Sequence, residues 1–424
     1  MPQPVALSAA EWIALALTIP MFVSGFVFKT YDIAMASLPA EILRQLNAPF
    51  VVAELLVIGT AVRRGFRAQA AMAALDRPAR LALLFFLSTF WIGGVFVSTA
   101  APFATLFNLT YAVHALFLGA VAHLGQGVTR EQAAAFLRVL VIGLLAFAAF
   151  IAVRFLNPPA GRPIGTISWQ FAVPGFISVR LFGAMVAPWA AIAIYLAVKR
   201  GDEPLYRRWI YLACIITSAM VVWSGTRAAV LGLIVAGGVA LILDKPRLRA
   251  RTVLPTTAAV VMGLILAYGL LPYNDTDFWL IVPTDFAGDA DQLASGRLQL
   301  WLATWDAFLT VPLFGAGPGA TAWILPGSVV PHIQPHNFVL EFLLNWGFLA
   351  ALAACYLLAI TVIAAHRAAR RATDAVPFVL AADCLLTMAF VDGIFHFAQH
   401  LMMWAACMGF AFAQAHKVEC KPMR

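Results

Sequence analysis

Residues 337–364 read NFVLEFLLNWGFLAALAACYLLAITVIA, with Glu341 the single charged residue in the run. A helix needs roughly 20 apolar residues to cross about 30 Å of hydrocarbon, so this stretch predicts a membrane span. Working outward, similar runs lie at 11–28, 50–63, 81–99, 102–123, 138–154, 181–198, 209–223, 228–243, 253–272, 376–395 and 400–415. The run at 50–63 is short and contains Glu54. Those at 209–223 and 228–243 are also short. Between them lie Ser224, Gly225, Thr226 and Arg227, a polar break too costly to leave facing lipid. The expectation is an all-α polytopic membrane protein of about 12 transmembrane helices.

Composition agrees. Of 424 residues, 62% are apolar and 11% are Asp, Glu, Lys or Arg, against about 25% charged in an average soluble domain. Mean hydropathy is +0.88. A soluble fold cannot hide that much apolar surface, and a disordered chain or a disulfide-stapled secreted module is excluded as well. The five cysteines are Cys214, Cys355, Cys384, Cys407 and Cys420. Four lie in apolar runs and one in the basic tail, so no disulfide is expected. The first run is followed by Lys29 and Asp32, not by a small-residue cleavage site, and reads as a retained anchor.

The formal net charge is +8, from 28 Lys and Arg against 20 Asp and Glu. In a soluble protein that would suggest nucleic acid. In this chain the cations set sidedness instead, and no nucleic-acid partner is expected. If the N-terminus is cytoplasmic and the spans alternate, 21 of the 28 cations fall on cytoplasmic segments. Both termini are then cytoplasmic. The seven left outside are Lys29, Arg44, Arg154, Arg162, Arg180, Arg227 and Arg297. The last three each sit at or beside the outer end of a span.

The chain therefore divides into spans 1–9 over 1–272, a large outer loop over 273–336, and spans 10–12 with a short tail over 337–424. The loop carries Asp275, Asp277, Asp285, Asp289, Asp291 and Asp306 against the single Arg297. Loops of that length are usually functional. Within it, Ser295 is placed to cap a helix in which Leu298, Trp301, Trp305 and Leu309 share one face. This predicts an amphipathic helix on the outer membrane surface. The GAGPG run at 315–319 reads as a turn, since it lacks the Lys and Ser/Thr of a nucleotide-binding loop.

The residues able to carry chemistry collect around that loop. His336 precedes Asn337 where the loop meets a span, and a neutral imidazole is the usual general base. The alternative is an interfacial helix cap. Arg227 lies in the polar break, and its planar fork suits phosphate; pairing with an acid or snorkelling would also explain it. Arg297 is four residues before Trp301, so a cation–π stack is the alternative there. Arg180 opens the sixth span, where simple anchoring is the alternative. The loop aspartates lack the spacing of a calcium loop, and no metal site is expected. Glu341, Asp383 and Asp392 lie within spans and should face the interior. Glu341 is one turn below Asn337 and could orient the site. His396 and His400 share a helix face with no acid nearby in sequence and read as interfacial. Arginines that hold a lipid diphosphate, with a base beside them to activate a hydroxyl, would suit glycan transfer.

Three segments resemble the O-antigen ligase and polymerase superfamily of bacterial envelope enzymes. SGTRAAVLGLIVAGGVALIL is similar to its small-residue–Arg motif opening a span. SGRLQLWLATWDAFLTVPLFGAGPG is similar to its Arg–x3–Trp segment with a following proline and glycine-rich turn. PHNFVLEFLLNWGFLAAL is similar to its His-Asn motif with a downstream glycine. The N-terminal half matches only in span pattern, with Arg180 in RLFG a looser fit. The resemblance implies a helical bundle of the lipid-dependent glycosyltransferase type in the bacterial inner membrane. It implies an undecaprenyl-diphosphate-linked glycan donor and reaction on the periplasmic side. Arg227 and Arg297 would hold the diphosphate and His336 would engage the acceptor hydroxyl, with Arg180, Asn337, Trp301 and Glu341 contributing to binding. No cofactor, metal or ATP is implied. The ligase uses a lipid A–core sugar as acceptor in lipopolysaccharide biosynthesis, and the polymerase uses another lipid-linked repeat. A protein-glycosylating branch usually carries a larger soluble C-terminal region. The size and the single large outer loop favour the ligase. A secondary transporter is the rival from another class, but such proteins often show two similar halves with midplane binding residues.

Overall fold

The computed structural model describes residues 7–28, 46–98, 100–156, 173–244, 249–270, 297–325 and 334–419. Lys29, Arg44, Arg162, the aspartates at 275–291, the Ser295 cap and Cys420 lie outside the described residues. Among those described, the regular structure is entirely helical. The main helices are α1 (Ala9–Val27), α2 (Ala48–Arg63), α3 (Arg77–Ile92), α4 (Ala101–Gly125), α5 (Arg130–Leu156), α6 (Val179–Arg200), α7 (Arg207–Trp223), α8 (Arg227–Leu243), α9 (Ala250–Gly269), α10 (Arg297–Thr310), α11 (Phe338–Arg371), α12 (Val376–Asp392) and α13 (Ala398–Glu419). The described residues of each of the twelve apolar runs fall mainly on helices. Eight helices among the described residues are long and apolar enough to cross a membrane, and α8 is a shorter apolar one.

α6 is the core of the bundle. Nearly every residue from Val179 to Ala197 is buried, and α7, α8, α9, α12 and α13 pack around it. Its sequence explains this. Alanines at 184, 187, 190, 191, 193 and 197 and Gly183 present almost no side chain, so neighbouring backbones approach closely, as small residues allow in membranes. Some polar groups in the apolar interior are paired across helices. Glu54 on α2 meets His114 on α4, Oε1 to Nδ1 2.8 Å, and both are buried. The run at 50–63 is thus an interior helix, and its acid is held by a ring that lies 60 residues further on.

The bundle has two chemically distinct ends. At one, Lys199 pairs with Asp244 (2.6 Å), Arg251 with Asp202 (2.6 Å) and Arg200 with Asp374. Lys417 donates to the Val128 carbonyl and the Tyr206 hydroxyl to that of Arg130, at 2.6 and 2.8 Å. These residues come from segments that charge counting places together in the cytoplasm. The N-termini of α6, α8, α10 and α11 lie at the other end.

One expectation needs correction. The span at 337–364 is not continuous: α11 breaks at Gly347, whose φ is 71° and ψ 174°. The GAGPG turn fills the break. Ala316 N donates to Leu344 O (2.8 Å), Gly317 N to Asn345 O (2.9 Å) and Phe348 N to Pro312 O (2.7 Å). The carbonyls freed by the break are therefore satisfied by protein, the condition for irregular backbone among spans. Beyond the break, 348–371 alone runs about 36 Å at 1.5 Å per residue. α10 rests on the first arm of α11. Leu300, Thr304, Ala307 and Phe308 are its buried face, and Leu344 of α11 belongs to the same cluster. The face read from sequence as lipid-binding points away, with Leu298, Trp305 and Leu309 exposed.

Gly347→Ala should be strongly destabilising. Its φ/ψ region is essentially closed to residues with a Cβ, at a cost of about 1–3 kcal/mol, and the new methyl would meet the Leu313 carbonyl and Phe314 N. The expected result is a lower apparent melting temperature by intrinsic tryptophan fluorescence in detergent. An unchanged melt would show that the break is not a structural requirement.

Candidate functional site

His336 stands at the loop–span junction with a left-handed backbone, φ 54°, a conformation uncommon for a residue with a Cβ and often found at functional sites. Its ring Nδ1 lies 3.1 Å from Asp392 Oδ1. Gln334 supports both. Its Oε1 accepts from His336 N at 2.9 Å, and its Nε2 lies 3.4 Å from the Asp392 carbonyl and 3.1 Å from His336 Nδ1. Gly393 lets these strands of chain meet, because a Cβ there would strike Gln334 Oε1 and His336 Cα. Asn337 caps α11, accepting from Val339 N (3.0 Å) and Leu340 N (3.1 Å), and its amide donates to Phe390 O (3.0 Å). Trp301 donates its indole N–H to Pro335 O at 2.9 Å. Asn337 and Trp301 thus grip the loop on either side of His336.

Arg297, the first residue of α10, donates to Asp392 Oδ1 at 3.0 Å and to the Val391 carbonyl. Its guanidinium therefore shares one carboxylate oxygen with His336. Nδ1 thus faces both the Asp392 carboxylate oxygen and the Gln334 amide nitrogen. With Nδ1–H donating to Asp392, the neutral ring carries its lone pair on Nε2. Arg227 is the first residue of α8, and Arg180 and Arg297 lie within coulombic reach of it. Arg180 is the second residue of α6, and its carbonyl accepts from the Thr226 hydroxyl at 3.0 Å. One hydrogen bond thus ties the starts of α6 and α8, beside Gly183, where Ser224 and Thr226 crowd the helix.

The four residues singled out from sequence, Arg180, Arg227, Arg297 and His336, are brought together. Glu341 is not at His336. It turns inward to His396 Nδ1 at 2.5 Å, and both are buried. His396 and His400 are not interfacial either. The acid for His396 comes from α11, and His400, fully buried, reaches the Leu181 carbonyl at 3.0 Å, directly behind Arg180. Sequence reading placed Asp392 facing the interior without seeing its partner, and it missed Gln334. The signal for Asp392 was present, since an acid inside a span needs a reason. Its partners are 56 and 95 residues away in the chain, which no local pattern reveals.

Toward the same end of the bundle a cavity of about 430 Å³ opens between α5, α6, α7 and α9. Phe182, Trp223, Met220, Ile151 and Leu266 help line it, and its walls are almost wholly apolar. Phe182 is two residues from Arg180, and Trp223 is four from Arg227.

Chemically, the site can hold a polyanion and move a proton. Among the described residues, three guanidinium groups stand near the carboxylate of Asp392. The N-termini of α6, α8 and α10 add roughly half a positive charge each, an arrangement that suits phosphate. This defines an integral membrane protein of many apolar helices, with arginines gathered near a His–Asp pair at one end. Residues 212–355, about one third of the chain, match the family model described as O-antigen ligase, which supports membership of the O-antigen ligase superfamily. The family is one of glycosyl transfer, of ligase or polymerase type. No curated protein matches the chain.

Proposed function

We propose that the chain is an O-antigen ligase-like glycosyltransferase, moving a glycan from undecaprenyl diphosphate to a hydroxyl of a lipid A–core sugar on the periplasmic face of the inner membrane. In this reading the bundle crosses the membrane twelve times, both termini are cytoplasmic, and 273–336 faces the periplasm. The observation that carries it is the meeting of Arg180, Arg227 and Arg297 with the His336–Asp392 pair, with an apolar cavity toward the same end of the bundle. A diphosphate on a long hydrocarbon needs both parts.

The reaction balances on these groups. The acceptor hydroxyl gives its proton to His336 Nε2, and its oxygen bonds to the anomeric carbon. The bond from that carbon to the diphosphate oxygen breaks, and undecaprenyl diphosphate leaves. Charge growing on the leaving oxygens is met by the three arginines and the helix N-termini, fixed in place before the reaction. Asp392 stabilises the imidazolium that forms. Asn337 and Trp301 serve by holding His336, and Glu341 by bracing the interior below it. The arginines do the work a divalent cation does elsewhere, and the donor is already activated, so neither metal nor ATP is required.

The test is to supply purified full-length chain with lipid-linked glycan and lipid A–core, with and without EDTA. Glycan should appear on lipid A–core, unchanged by chelation. Lengthened lipid-linked glycan, with lipid A–core untouched, would assign the polymerase reaction instead. Activity lost to EDTA and restored by magnesium or manganese would point to a metal at the loop aspartates. Solute accumulation in vesicles without any glycan transfer would favour a transporter.

A further inference from the structure

At the end opposite the arginine cluster a second cavity, of about 300 Å³, runs between α5, α6, α7 and α13. Arg130, Lys199, Arg200 and Lys417 line it at the basic end, and Leu137, Leu140, Val141 and Leu144 of α5 line it further in, across from Trp189 and Ile192 of α6. Leu144 lies fourteen residues along α5 from Arg130, so the slot penetrates about 21 Å at 1.5 Å per residue. One leaflet offers roughly 15 Å of hydrocarbon, half of the 30 Å core. With its head-group region a leaflet is roughly 20–22 Å thick, half of about 40–45 Å, so the depth suits a whole lipid, head group and acyl chain, from a single leaflet.

The lining narrows the choice of occupant. Ordered water needs several polar partners; Thr217 is on the lining of the deep stretch, and Tyr195 and Gln414 lie nearer the mouth, among otherwise apolar walls. A free phosphate would use the mouth and leave the depth unfilled, and an uncharged lipid would leave the cations unused. The mouth is only partly neutralised from within: Lys199 holds Asp244 at 2.6 Å and Arg200 holds Asp374. Lys417 Nζ gives one proton to the Val128 carbonyl and has two more to donate. Tyr206 fixes the first turn of α5 through the Arg130 carbonyl. Basic pockets between transmembrane helices are where anionic head groups bind. We infer that this slot holds one acyl chain of an anionic glycerophospholipid, its phosphate between Arg130 and Lys417. The lipid would fill the seam between α5 and the core helix α6, far from the arginine site and independent of its chemistry.

Native mass spectrometry of delipidated full-length chain tests this, with phosphatidylglycerol, phosphatidylcholine or inorganic phosphate added. One phosphatidylglycerol per chain should be retained, phosphatidylcholine about tenfold more weakly, and phosphate not at all. Arg130→Ala with Lys417→Ala should remove the preference for phosphatidylglycerol. Ala133→Trp, at an exposed position on the cavity lining, should block entry of both lipids, and Leu140→Trp should fill the depth. Equal retention of the two phospholipids would overturn the inference. So would phosphate binding as tight as phosphatidylglycerol, or occupancy untouched by Ala133→Trp. A polyprenyl lipid that co-purifies and is lost in the same variants would assign the slot to another hydrocarbon and likewise overturn it.

Discussion

His336→Ala is expected to cut glycan transfer by roughly 10²–10⁴-fold, the usual contribution of a positioned general base. Insertion and folding should survive, because the cap of α11 is made by Asn337 and the neighbouring loop is held by Trp301. The ring is also only partly enclosed, its side chain 24% exposed, so truncation leaves no sealed cavity. Asp392→Asn should lower turnover with little change in the acceptor KM, since the amide keeps the shape but removes the charge facing the imidazolium. Purified His336→Ala with near-normal turnover would eliminate the base assignment, whatever Asp392→Asn did.

Arg227→Ala should cost roughly 10²–10³-fold in turnover, the range seen when one preorganised group facing developing charge is removed. Alanine is the best helix former, so the start of α8 should persist, and the Thr226–Arg180 bond that ties α8 to α6 does not use the guanidinium. Arg227→Lys should recover part of the loss, supplying charge without the planar fork. The split between constants is diagnostic. An interaction made only in the transition state lowers kcat and kcat/KM together, whereas uniform grip on the donor raises KM alone. If Arg227→Ala raised the donor KM and spared kcat, the residue would bind the diphosphate but not assist its departure.

Much of the architecture was legible because the bilayer imposes it. Every run of apolar residues long enough to matter became a helix, since backbone polar groups in hydrocarbon must be satisfied within the segment. The residues facing the arginine cluster were also legible one by one, because a cation on the sparsely charged side of a span stands out. Asp392 was visible only as a costly acid, Gln334 not at all, and the break at Gly347 was hidden inside an apparently continuous run. Glu341 was placed by helical spacing one turn below Asn337, where it could orient the site, and its carboxylate meets His396. Spacing along α11 says which turn it occupies, not which neighbour faces it.

Hydropathy and charge, both one-dimensional, were enough to define a many-helix membrane bundle with chemically different ends. Folding alone decided that Arg297 and His336 share one oxygen of Asp392, that a glycine-rich turn closes the gap in α11, and that His396 is buried rather than interfacial. Each of these joins groups from separate helices. Their distances depend on how small residues let backbones approach and on where freed carbonyls find donors, and neither is written in any single window of the chain.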